Sequence, residues 1–147
     1  MPMLGDRGFS FDGSRTFRRS LSNGTIAQLV NFQLGQRSQE GRFTVNLGVF
    51  VLGELLSNPP AVTASNALEH HCSGPRRTRL GTMHPGLIPA LANVPLVGAL
   101  LGPKDVWWPF VEDQGRTDTS LRECLLLLER HGFAWLAQAT PRGASDD

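Results

Sequence analysis

The sequence predicts an α+β fold: an antiparallel β-meander of three to five strands with a C-terminal helix packed on its apolar face. Three observations predict it. Apolar residues recur with period two over 42–51, an Asn-Gly pair at 23–24 separates two β-favouring runs, and leucines recur at helical spacing between Leu121 and Leu128.

In RFTVNLGVFV, Phe43, Val45, Leu47, Val49 and Val51 alternate with Arg42, Thr44, Asn46 and Gly48, the pattern of a strand with one face buried. TIAQLVNFQL over 25–34 repeats it, with Ile26, Val30, Phe32 and Leu34 on one side and Asn31 and Gln33 on the other. The polar segment between the two runs, GQRSQEG, suits a hairpin connection whose loop proper is Arg37 to Glu40. That loop sets Phe32 opposite Val45, Val30 opposite Leu47 and Leu34 opposite Phe43, so the apolar faces coincide. A slip by one residue would set each of them against a polar side chain.

Upstream, Asn23-Gly24 is the preferred two-residue type I′ turn, because both central residues must take positive φ. It pairs Leu21 with Ile26 and Phe17 with Val30, which makes a third strand from about Arg15 to Leu21. The predicted core is therefore Phe17, Val30, Phe32, Val45 and Leu47. The opposite face carries Thr16, Arg18, Asn31, Gln33, Arg42, Thr44 and Asn46, then turns apolar at Ala27, Leu29 and Phe50, where another segment is expected to cover it.

Residues 53–75 lack sustained periodicity and read as a loop with one short helix. RRTRLGTM returns as a strand bearing Arg77 and Arg79, and VWWPFVE over 106–112 is an edge strand or short extended segment, since Pro109 has no N–H to give a ladder. The helix is expected to start at a Ser120–Glu123 capping box and to stop at Gly132, with Leu121, Cys124, Leu125 and Leu128 as its buried stripe. Residues 1–138 read as a single α+β domain and 139–147 as a flexible C-terminal tail.

A net charge of +1 supplies no global field to recruit nucleic acid or an anionic membrane. Two cysteines, Cys72 and Cys124, do not make a disulfide framework. The first residues lack the charged and apolar regions of a signal peptide, so the cytoplasm is the default location. Residues 85–103 are uncharged, but Pro85, Pro89, Pro95 and Pro103 break them up, which fits a packed loop with one helical turn rather than a membrane span.

His70, His71 and Cys72, with His84 further on, make up the only cluster of metal-ligand residue types. Adjacent histidines rarely reach one ion and the spacing is not that of a zinc site, so no metal site is expected. Cys72 beside a histidine suits a nucleophile by residue type alone, without an orienting third group. No phosphate-binding loop, dinucleotide fingerprint or nucleophile elbow occurs, no cofactor is expected and no catalytic residue is assigned.

Arg18, Arg42, Arg77 and Arg79 ring one end of the polar sheet face, a site for a phosphate, a carboxylate or an acidic protein; the alternative is the ordinary solvated side of an antiparallel sheet. Trp107 and Trp108 point to opposite faces, one to the core and the other as an anchor. The candidate binding set is Arg18, Asn31, Gln33, Arg42, Thr44, Asn46, Arg79 and Trp108.

Gly8-Phe9, Thr16-Phe17-Arg18, Val30-Asn31-Phe32-Gln33, the strand Phe43 to Gly48, Arg79-Leu80-Gly81, Asp105 with Trp107-Trp108, and Gly132-Phe133 ahead of Trp135-Leu136 occur in this order. In these motifs the chain resembles the bacterial domain-of-unknown-function 4304 family. The resemblance implies the fold class and carries over no activity, cofactor or catalytic residue. Family members have a helix ahead of the Gly-Phe, whereas seven residues precede Gly8 here, and residues 85–103 look like an insertion.

The function expected is a non-enzymatic binding or protein-interaction module, immunity-like or regulatory, whose partner is another protein or a small anionic ligand. The alternative is a small hydrolase or metal-dependent enzyme built on His70, His71 and Cys72. Nucleic acid is disfavoured by the near-zero net charge.

Overall fold

In the computed structural model, which describes residues 1–84 and 105–147, the alternating run Arg42–Val51 is the longest strand, β4. Before it lie β1 (Ser10–Phe11), β2 (Thr16–Leu21) and β3 (Ile26–Leu34); after it lie β5 (Arg77–Arg79) and β6 (Trp108–Pro109). The sheet has the order β1-β2-β3-β4-β5, and β6 also pairs with β4. The helices are α1 (Pro2–Gly5), α2 (Gln114–Leu127) and α3 (Phe133–Ala139). The expectation for residues 85–103 falls outside the described residues.

Both predicted hairpin registers hold. Phe17 is opposite Val30 and Leu21 opposite Ile26. Asn23 and Gly24 take φ of 54° and 74°, and Thr25 N–H donates to Ser22 O at 3.3 Å, closing the turn. For β3 and β4, Gly35 N–H donates to Arg42 O at 2.8 Å and Leu52 N–H to Thr25 O at 2.9 Å, both in the register that sets Val30 opposite Leu47.

By internal contacts the chain divides into two compact units. The first comprises Met1–Gln33, Asn46–Thr78 and Ala134–Asp147. On its apolar side Val30, Leu47 and Val49 are fully buried, as are Leu4 of α1 and, nearly so, Leu136 of α3. Gln28, which leaves the sheet on that side, donates from Nε2 to Thr140 Oγ1 at 2.9 Å, fixing the end of α3 against the strand. On the other side Ala27, Leu29 and Phe50 pack with Ala64, Ala67 and Cys72, so the loop after β4 supplies the cover their apolar character called for. Burying Phe50 in this way contributes about 1.5–3 kcal/mol. Gly48 lies beneath this cover, and a Cβ there would stand 2.8 Å from Cys72 Sγ.

The second unit comprises Leu34–Val45 and Arg79–Phe133. Pairing Phe43 with Trp108 stacks their rings, with centroids 5.8 Å apart, and Phe110 meets Phe43 edge-on. Helix α2 starts at Gln114, six residues ahead of the expected Ser120, because Asp113 caps it by accepting from Gly115 N and Arg116 N. Ser120 is instead a buried mid-helix residue. Its buried side is Ser120, Cys124, Leu127 and Leu128; Leu121 and Leu125, expected in the stripe, are half-buried. Gly132 does not stop the helix either. It ends a π-helical turn, Leu128–Gly132, from which the chain runs straight into α3, and it lacks the positive φ of a terminating glycine.

Phe17 and Phe32, expected in the core, are only half-buried. The Phe17 ring lies 4.8 Å from that of Phe11, which is itself exposed on the two-residue edge strand β1 and so gives only partial cover.

Candidate functional site

The polar face begins as a ladder of side chains across the first unit. Asn31 Nδ2 donates to Thr16 Oγ1 at 3.0 Å, and Asn46 Nδ2 donates to Asn31 Oδ1 at 3.3 Å and to Gln33 Oε1 at 2.8 Å. Cross-strand neighbours on one face stand close enough for amides to meet in this way. Because they satisfy one another, the face need not be solvated: Thr16 and Asn46 are buried, Asn31 is half-buried, and only Gln33 reaches solvent. The expectation of an open polar surface is corrected here.

Arg18 is likewise internal. Its Nε donates to Ala67 O at 2.8 Å and its Nη1 to Asp12 Oδ2 at 2.9 Å. Asp12 Oδ1 in turn accepts from Ser14 N, Ser14 Oγ, Arg15 N and Thr16 N. Partial burial opposes its charge, but these hydrogen bonds outweigh that and hold the carboxyl well below the usual carboxylate range. Sequence reasoning missed Asp12, although Asp12-Gly13-Ser14 is a turn signal in which an aspartate bonds its own downstream backbone.

In the second unit the polar groups are not all matched. Trp108, taken from the sequence as a binding residue, is buried on Phe43. Next along the two segments, Thr44 and Trp107 leave on the opposite face by the alternation of extended chains. Arg79 sits over Trp107, its guanidinium carbon 5.2 Å from the ring centroid, and Nη1 is ion-paired with Asp105. Among the described residues of this unit two buried polar atoms have no hydrogen-bond partner, Thr44 Oγ1 and Arg79 Nε. Thr44 is fully buried, whereas the Arg79 side chain is 38% exposed. Arg42, at the edge of the unit, is exposed and reaches Gln39 Oε1 at 3.5 Å. Arg77 belongs to the first unit and is exposed.

The histidine segment is structural in form. His71 Nδ1 accepts from Leu68 N–H at 3.0 Å, capping its own 3₁₀ turn, and burial lowers its pKa from the ordinary imidazole value. The rings of His70 and His71 lie 4.1 Å apart, tilted at 56° to each other. Cys72 is buried, and desolvation pushes its thiol up to about 12 with added repulsion from Glu69, so it carries no thiolate at neutral pH. Among the described residues no three His, Cys, Asp or Glu side chains converge as metal ligands, and no helix is long and apolar enough to cross a membrane.

These features define an α+β protein built on an antiparallel sheet with helix and loop against it. The family model described as Domain of unknown function (DUF4304) matches residues 1–138, and the chain belongs to that family. Searches among curated proteins and among solved structures find no match.

Proposed function

We propose that the protein is a non-enzymatic binding module that takes a carboxylate of an acidic protein partner at Arg79 and Trp107. The observation that carries this is the Arg79 Nε–H, buried and without a hydrogen-bond partner among the described residues, on a guanidinium that lies over the Trp107 ring. Leaving such a group unmatched costs about 1–3 kcal/mol, a cost that an incoming oxygen acceptor removes. Asp105 already neutralises the guanidinium, so the pair does not draw a multiply charged anion by net charge, and the group that fits is a single acceptor oxygen for the Nε–H, as a carboxylate supplies. The protonated state of Cys72 further supports a role without covalent chemistry.

Tryptophan fluorescence tests this. A short polyglutamate peptide is expected to give a saturable change that Trp107→Phe abolishes and Arg79→Gln weakens at least tenfold, with inorganic phosphate giving a smaller response. No saturable change with the peptide rejects the site. Thr44→Val checks the other unpaired atom of this unit: without the hydroxyl the protein should gain about 1 kcal/mol in urea unfolding. A destabilised Thr44→Val would mean that the hydroxyl is already satisfied in the free protein.

A further inference from the structure

In the first unit, the turn between β2 and β3 presents a second cluster of donors, and something already occupies it. Ser22, Asn23 and Gly24 all take positive φ, at 55°, 54° and 74°, which turns the N–H groups of Asn23 and Gly24 to the same side. Both N–H groups donate to the side-chain carboxylate of Asp147, Gly24 at 3.0 Å. Asp146 is ion-paired with Arg19 and forms an isolated bridge with Leu21. Ser22 N–H donates to Ser145 O at 2.8 Å, and Ser145 N–H to Ser22 Oγ at 3.2 Å. Residues 141–144 and Asp146 then form one wall of a cleft of about 480 Å³, whose other wall is Arg19, Leu21 and Gln28.

Successive backbone N–H groups converging on one point form an anion receptor, and bonds from them to a carboxylate are charge-assisted. The side chain of Arg19 adds the second contact, so the arrangement reads a pair of adjacent acids: one carboxylate on the turn, the next on the guanidinium. We infer that the β2–β3 turn with Arg19 is a receptor for an Asp-Asp segment of an acidic polypeptide, and that the chain's own residues 145–147 are its resident, exchangeable occupant. The occupant is held by main-chain and carboxylate contacts at the rim, so it is displaced by a competing segment of the same chemistry without disturbing the core. This site is independent of the one proposed around Arg79.

The test uses the full-length protein and its Asp146→Asn/Asp147→Asn variant, with a synthetic peptide of residues 139–147 as the probe. Binding is followed through the amide resonances of Asn23 and Gly24. In the variant the acidic peptide is expected to shift both amides and to bind at least tenfold more tightly than in the unmodified protein, where the resident tail competes; a peptide ending in Asn-Asn should bind neither. Arg19→Gln in the variant background should weaken binding about tenfold. Equal uptake by the two proteins, indifference to the Asn-Asn change, or no response at Asn23 and Gly24 overturns the inference. If the double variant folds poorly, Asp147→Asn alone is followed through the same two amides: tighter uptake of the acidic peptide than by the unmodified protein supports the receptor, and equal uptake overturns it.

Discussion

Asp12 closes the connection between β1 and β2 with a single carboxylate: Oδ1 takes the N–H groups of Ser14, Arg15 and Thr16, and Oδ2 takes Arg18. Asp12→Asn keeps the shape and removes the charge, and is expected to cost about 2 kcal/mol in urea unfolding at neutral pH. The folded carboxyl lies below its ordinary value of 3.8, so its contribution is present above about pH 4 and is lost as pH falls toward the depressed folded value. The gap between wild type and variant should therefore hold steady from about pH 7 to about pH 5 and begin to narrow as unfolding is measured below about pH 4. The thiols of Cys72 and Cys124 have the opposite sign, each raised from 9.0 to about 12 by burial. Their contribution is complete below about pH 9 and declines as pH rises toward the folded value, because the unfolded thiols ionise first. Iodoacetamide at about pH 8 should label neither cysteine in the folded protein and both in urea, as mass spectrometry would read.

At the level of elements, Gly48 marks where β4 and the following loop come closest. Gly48→Ala would drive a methyl to 2.8 Å from Cys72 Sγ, and Glu69 Cα lies only 3.6 Å away, so the loop must shift. A loss of about 1–3 kcal/mol is expected, partly recovered in Gly48→Ala/Cys72→Ala, since overpacking is relieved when the facing group is removed. The hairpins were legible because period two and an Asn-Gly turn are local signals that agree with each other: Phe17 meets Val30 as the turn dictates. The helix boundary was not, because Ser120 and Asp113 compete as caps, and only the three-dimensional position of Ser120 excludes it. The polar face misled for a related reason. Asn31 and Asn46 read as solvated when taken singly, while their partners are each other. The ion pair of Arg79 could not be read at all, since its partner Asp105 is 26 residues away in sequence. The tail over 139–147 reads as loose by composition, yet its carboxylates meet donors on a turn more than a hundred residues earlier.

For the whole molecule, the first unit is built from three separate stretches, the last of them Ala134–Asp147, and the second from two that interleave with them. Residues 134–139, which supply Leu136, and Thr140, which receives Gln28, complete the apolar side of the first unit. Removing residues 134–147 is thus expected to abolish cooperative unfolding rather than merely lower its midpoint, as circular dichroism in urea would register. The interleaving also bears on the order of events during synthesis. β2 and β3 leave the ribosome early, yet Leu136 and Thr140 follow them by over a hundred residues, so the hairpin must wait, half-covered, for most of translation. At about 5–20 residues per second that wait lasts roughly 5–20 s, during which Leu21, Ile26 and Val30 are open to chaperones and to other nascent chains.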